Sequence, residues 1–130
     1  MGAQVVSAGL VDTPQAARAA GDALAAGRPQ LLLVYTATYA TSSQVLPVVQ
    51  AVDAPVVVLN LQPMRTLDYE AMTTGEWLAN CSACCVPEIA GALARAAVPY
   101  KTVTGTLLDG DPGWDALREW LDAARAVRRA

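Results

Sequence analysis

Leu31 to Thr36 reads LLLVYT, an apolar run of strand length with no alternation of polar and apolar residues. A strand with one wet face alternates, so a continuous run predicts a strand covered on both sides, as in a parallel sheet flanked by helices. The neighbouring segments fit that reading. Upstream, Thr13-Pro14 opens an alanine-rich stretch, QAARAAGDALAAG, with a helix N-cap and a proline at the first helical position, and Gly27 and Pro29 stop it. Downstream, the hydroxyl-rich turn ATYATSSQ leads into VLPVVQAV, a helix expected to start near Ser42 or Ser43, with Pro47 about one turn in.

A second apolar run, Val56 to Asn60, repeats the β-α-β pattern, and Gln4 to Ala8 is a shorter β-type run before the first helix. From Leu61 to Ala79 the periodicity is lost, which predicts a long excursion with a short helix near Leu67 to Met72. Excursions of that length inside a compact domain are usually functional or disordered, and the Trp and Leu content of this one argues for order. Val86-Pro87-Glu88 is expected to open the next helix, Lys101 to Thr104 a short strand, and the DGDP turn at Asp109 to Pro112 the last helix. There Leu117, Trp120, Leu121, Ala124 and Val127 fall on one face. The expected fold class is α/β: an open, mostly parallel sheet with helices on both faces, a three-layer arrangement of Rossmann or flavodoxin type. Its functional loops belong at the carboxyl ends of the strands, here Thr36 to Ser43, Asn60 to Cys85 and Gly105 to Gly113.

The 130 residues suffice for a single α/β domain, residues 1–130. No run reaches the ~20 apolar residues of a membrane span, and MGAQVVSAGL lacks the charged start of a signal peptide, so a cytoplasmic location is expected. The net charge is −3 and there is no basic stripe with interleaved aromatics, which argues against nucleic acid. Arg125, Arg128 and Arg129 suit a helix C-terminus. Histidine is absent, which removes Ser-His and Cys-His pairs and imidazole metal ligation.

The densest chemistry lies in WLANCSACCVPE, Trp77 to Glu88, which holds all three cysteines, Cys81, Cys84 and Cys85. Three clustered thiols in one loop fit a reducing compartment better than a disulfide framework. They are open to four readings: packing beneath a helix start, a metal site short of one ligand, a redox pair of the C-x-x-C kind, or ligand contact. Thr36, Thr38, Tyr39, Thr41, Ser42 and Ser43 form a hydroxyl-rich helix entry without the glycines of a phosphate loop. Asp68, Glu70, Glu76 and Glu88 read as solvated charge.

The segments LLLVYTATYATSSQVLPVVQ, APVVVLNLQP, GEWLANCSACCVPEIAGAL and VTGTLLD, followed by Trp114 and Trp120, resemble in the same order the N-terminal domain of L-arabinose and L-fucose isomerase-like proteins. The similarity runs from about Gly9 to Arg128. It implies a part in metal-dependent aldose-ketose isomerisation, an intramolecular oxidoreduction of carbohydrate metabolism. The family's Mn²⁺-binding glutamates and histidines lie in later domains, so the resemblance assigns this chain no catalytic residue and no cofactor, and the isolated chain is expected to be inactive. It also implies a fold truncated at the N-terminus by one β-α unit, hence a fragment that associates as a homo-oligomer or with a catalytic portion. In the family, strand-end loops help close the sugar site of an adjacent subunit. Tyr39, Asn80, Cys81 and Cys84 fall at those substrate-facing positions. Arabinose isomerases proper carry a histidine in the latter loop, so the resemblance leaves the sugar open, and a small cysteine-based metal or redox module stands as the alternative.

Overall fold

The structure, a computed structural model, describes residues 3–80 and 82–129. Its elements are α1 (Pro14–Ala26), β1 (Leu32–Tyr35), α2 (Ser42–Ala51), β2 (Val56–Gln62), α3 (Thr74–Ala79), α4 (Ser82–Arg95), β3 (Tyr100–Thr106) and α5 (Pro112–Arg129). The three strands run parallel in the order β1-β2-β3, with Leu32 opposite Val56 and Val56 opposite Tyr100. Strands joined in parallel need crossover helices. Here α2 and the α3-α4 pair make the crossovers.

Two apolar layers sandwich the sheet. On one side Ala17 and Ala20 of α1, Val45, Val48 and Val49 of α2, and Val86, Ile89 and Leu93 of α4 pack against Leu32, Val56 and Val58. On the other, Leu117 of α5, with Trp114, Trp120 and Leu121 around it, covers Val57, Leu59, Leu61 and Val103. Residues of β2 alternate between the layers, and Val57 and Val58 are both fully buried. β1 also meets both layers, with Leu32 and Val34 in one and Leu31 and Leu33 in the other, but as an edge strand it is buried less deeply and its Tyr35 is exposed.

Local signals explain most boundaries. Thr13 caps α1, its hydroxyl accepting from Ala16 N–H at 3.1 Å, with Pro14 at the first position. The Gln44 side chain reaches back to Thr41 N–H at 2.9 Å and fixes the entry to α2. Pro47 lies inside α2. Gly21 lets α1 and α2 approach closely, since a Cβ there would sit 3.0 Å from that of Ala51 and 3.1 Å from the Pro47 carbonyl.

Several expectations are corrected. Gln4 to Ala8 forms no strand; it is exposed chain without a ladder partner, and a β-type run alone does not hold a strand. Leu67 to Met72 is not helical. Asp68 makes a turn there, accepting from Glu70 N–H through its side chain and from Met72 N–H through its carbonyl. The helix comes later, at α3, started by a capping box in which Thr73 and Glu76 satisfy one another. α4 begins at Ser82 rather than Val86, so Cys84 and Cys85 belong to its first turn and not to a loop, and Pro87 is inside the helix. β2 and β3 are longer than their apolar runs because the ladder continues through Asn60, Gln62, Thr104 and Thr106. Val127 lies on the expected apolar face of α5 yet is exposed, beyond the Trp114, Leu117, Trp120 and Leu121 side chains that pack in the layer.

The stretch Thr74–Arg95 is long and apolar enough by length and composition to cross a membrane. Its Ile89 and Leu93 are instead buried without residue against the sheet, as in a core helix.

Candidate functional site at the strand ends

Along β2 the residues on the α4 side change from Val56 and Val58 to Asn60 and Gln62. The core ends there and a polar edge begins. The Asn60 amide donates to Thr104 Oγ1 at 3.4 Å, and Gln62 Nε2 donates to Asn60 Oδ1 at 3.3 Å. Among the described residues the buried polar side chains are Thr36, Asn80, Thr106 and Asp111. Every one belongs to a segment at or beyond the carboxyl end of a strand, the edge at which open parallel sheets bind ligands.

At this edge the β1–α2 loop is tied to α3 and α4. Thr38 Oγ1 donates to the Leu78 carbonyl at 3.5 Å, joining the β1–α2 loop to the end of α3. Cys85, only 1% exposed, accepts from Ala40 N–H at 3.3 Å and donates to the Thr38 carbonyl at 3.7 Å, so its thiol organises the same loop from beneath. Glu88 grips the start of α2, its two carboxylate oxygens accepting from Ser42 N–H at 2.9 Å and Ser42 Oγ at 2.7 Å. A carboxylate suits the positive end of a helix. The pairing spans 46 residues of sequence, and no local spacing signals it.

Of the residues singled out by sequence, Tyr39 stands exposed on the β1–α2 loop, 61% accessible. Asn80 is buried and its amide is consumed internally: Oδ1 accepts from Met64 N–H at 3.3 Å and Nδ2 donates to the Glu76 carbonyl at 2.9 Å. It ties the excursion to the end of α3. Cys84 is exposed and Cys85 buried, so these adjacent thiols have opposite surroundings. Cys81 lies outside the described residues. Trp77, next to the Leu78 that Thr38 holds, is exposed near Tyr39's loop and was not singled out by itself.

The carboxylates of this edge are committed to the fold. Thr73, through its backbone N–H and then its hydroxyl, holds Glu76 below the usual glutamate range. Asp111 is held below the usual aspartate range, first by the Thr106 hydroxyl at 2.6 Å and next by Gly113 N–H at 2.9 Å. Asp-Pro before a helix was the available signal for this cap. No group of three histidine, cysteine, aspartate or glutamate side chains placed to hold a metal occurs among the described residues. The chain has no histidine to ligate a metal, and Glu76, Glu88 and Asp111 at this edge spend their carboxylates on hydrogen bonds within the fold.

The thiols give a direct check. In a Cys81→Ser background, Cys84 should react with a thiol reagent in the native protein and Cys85 only on unfolding. Cys85→Ala should cost about 1–2 kcal/mol, because it strands Ala40 N–H and the Thr38 carbonyl. Equal reactivity of both thiols under native conditions would contradict the placement of Cys85.

No family model matches this chain, and no curated protein matches it.

Proposed function

We propose that this chain is the N-terminal α/β part of an L-arabinose/L-fucose isomerase-like protein of carbohydrate metabolism, and that its strand-end loops supply one wall of a sugar pocket completed by another subunit. One observation carries the reading. The Thr38 hydroxyl approaches the Leu78 carbonyl at 3.5 Å, so the β1–α2 loop meets α3, and Tyr39 and Trp77, each beside one of these residues, are both exposed at the carboxyl edge of the sheet. Aromatic faces stack on the C–H faces of sugar rings, and hydroxyls at a helix entry suit sugar hydroxyls. In this reading Tyr39 and Trp77 face the sugar, Asn80 and Cys85 position the loops that carry them, and exposed Cys84 lies on the rim.

The chain would orient substrate and exclude water; proton transfer and the family's Mn²⁺ belong to the completing subunit. An NMR titration with L-arabinose and L-fucose tests this. Amide shifts should concentrate in Tyr39–Thr41 and around Trp77, with no turnover of either sugar with or without Mn²⁺. Tyr39→Ala should weaken binding by about 1 kcal/mol, roughly fivefold. Isomerisation or tight Mn²⁺ binding by this chain alone would sink the reading, as would sugar shifts confined to the groove lined by Arg18, Asp22 and Gln50.

A further inference from the structure

The two edges of the sheet are unlike. β3 presents exposed Lys101, Thr102 and Thr104, the charged and polar dressing that discourages another strand from pairing. β1 has no such protection. Leu32, Leu33, Val34 and Tyr35 carry no charge, and among the described residues β1 pairs with β2 alone. Leu32 N–H donates to the Pro55 carbonyl at 2.9 Å, towards β2. By the alternation of a ladder, the N–H and C=O groups of Leu33 and Tyr35 point to the open side.

The chain leading into α1 already lies where a strand on that open side would deliver it. Val11, half-buried, packs in the layer that α1 shares with α2. The Asp12 carbonyl accepts from the Gln44 amide at 2.7 Å, and the oxygen of the same amide accepts from Thr41 N–H. Asp12 is thus held at the entry to α2, beside the loop that leaves the carboxyl end of β1. Because α1 and α2 cover the same face, a strand that enters α1 from this edge makes a crossover of the same hand as β1-α2-β2, the right-handed form of parallel units. The five residues Gly9 to Thr13 match the usual length of such a loop.

The segment before that loop has strand character and no partner in the ladder. Gln4-Val5-Val6-Ser7-Ala8 is uncharged, with adjacent β-branched residues, and Val5 and Val6 are 80% and 70% exposed. It is turned away from the sheet at one point, where Gly9, at φ +77°, donates to Ser7 Oγ at 3.1 Å. A Cβ at Gly9 would meet nothing within 4 Å, so the turn has open space around it. Glycine takes either sign of φ at similar cost, which makes Gly9 the hinge.

We propose that residues 4–8 are a strap that closes about Gly9 onto the β1 edge of their own chain as a fourth, parallel strand, and that the structure shows the strap open. Closure gives Leu33 and Tyr35 ladder partners and lays one of Val5 and Val6 on each face of the sheet. It also makes Gly9 to Thr13 a strand-end loop, next to the loop that carries Tyr39.

Amide hydrogen exchange on the full chain, with sedimentation velocity on the same samples, tests this. Leu33 and Tyr35 have no ladder partner while the strap is open; their amides should nevertheless exchange at least about tenfold more slowly than unprotected ones, to a degree independent of protein concentration. Neighbouring residues of a strand alternate, so one of Val5 and Val6 turns its N–H towards β1. The double variant Val5→Pro, Val6→Pro removes whichever it is and should restore fast exchange at Leu33 and Tyr35, while Leu32, bonded to Pro55 within the sheet, stays protected. Val5→Thr with Val6→Thr keeps both N–H groups and both β-branches and should keep the protection. Fast exchange of Leu33 and Tyr35 in the wild type overturns the proposal, as does protection indifferent to the two prolines. Protection that rises with concentration overturns it as well, because the added strand then comes from another molecule.

Discussion

Leu93→Ala should destabilise the chain by about 2–5 kcal/mol, read as a lower denaturant midpoint with an unchanged slope. Leu93 has no exposed surface and sits in the layer where α1, α2 and α4 meet the sheet. Around it are side chains already fixed in small volumes, Ala17, Ala20 and a row of valines, which cannot swell into the space left behind. The backbone adds to the constraint. The Leu93 carbonyl accepts from Val98 N–H at 3.0 Å, closing the turn that ends α4, with Ala97 in the left-handed region at φ +54°. Against a total stability of the order of 5–15 kcal/mol, such a loss is large. Leu93→Met, which conserves volume, should cost less than about 1.5 kcal/mol. If the alanine variant unfolds at the wild-type midpoint, the packing described for α4 is wrong.

Gly105→Ala is expected to cost about 1–3 kcal/mol, roughly 5–10 °C in thermal midpoint. A Cβ at Gly105 would collide with the Asp111 carboxylate and come within 3.2 Å of Gly113 Cα. That carboxylate cannot swing aside freely, because it is buried and holds both the Thr106 hydroxyl and Gly113 N–H. Displacing it uncaps α5 and loosens the corner where β3 feeds the helix. The same corner sets a pH response. Asp111 titrates lower in the folded chain than in the unfolded one, so its contribution is complete above the ordinary aspartate range and fades as pH falls below about 4. The wild-type midpoint should therefore drop in acid, and the gap between wild type and Asp111→Asn should narrow there. A gap independent of pH would show that the carboxylate's charge is not what the corner uses.

Sequence reading reached the layer order because the decisive signals were short-range. Two apolar runs without alternation, Thr13-Pro14 ahead of an alanine-rich helix, and turn residues between them needed only neighbours to interpret. It misplaced the elements whose fate depends on distant partners. Gln4 to Ala8 reads as a strand by composition, but a strand exists only with a ladder beside it. Val127 continues the apolar stripe of α5 beyond the residues that pack in the layer. Val86-Pro87 is the local signal of a helix start and so leaves Cys84 and Cys85 in a loop, whereas α4 already begins at Ser82. The capping box at Thr73 and Glu76 is written in the T-x-x-E spacing, but the polarity of the excursion around it masks the signal. At the strand ends, Tyr39 was marked by its setting, whereas the Ser42–Glu88 grip and the Cys85 bonds to the loop above it cross more than 40 residues and leave no trace in local spacing.

The unequal connections of the sheet also bear on how the chain acquires its shape. β1 and β2 are joined through α2 alone, whereas β2 and β3 are separated by the excursion, α3 and α4, about twice the length. Doubling a loop adds only about 0.6 kcal/mol to its closure entropy. That penalty nevertheless falls before β3 pairing returns any contact, so folding by the shorter circuit has the earlier reward. The β1-α2-β2 unit is thus the natural nucleus, and the strand-end edge, which needs α3, α4 and β3 together, is the last region of the molecule to be assembled.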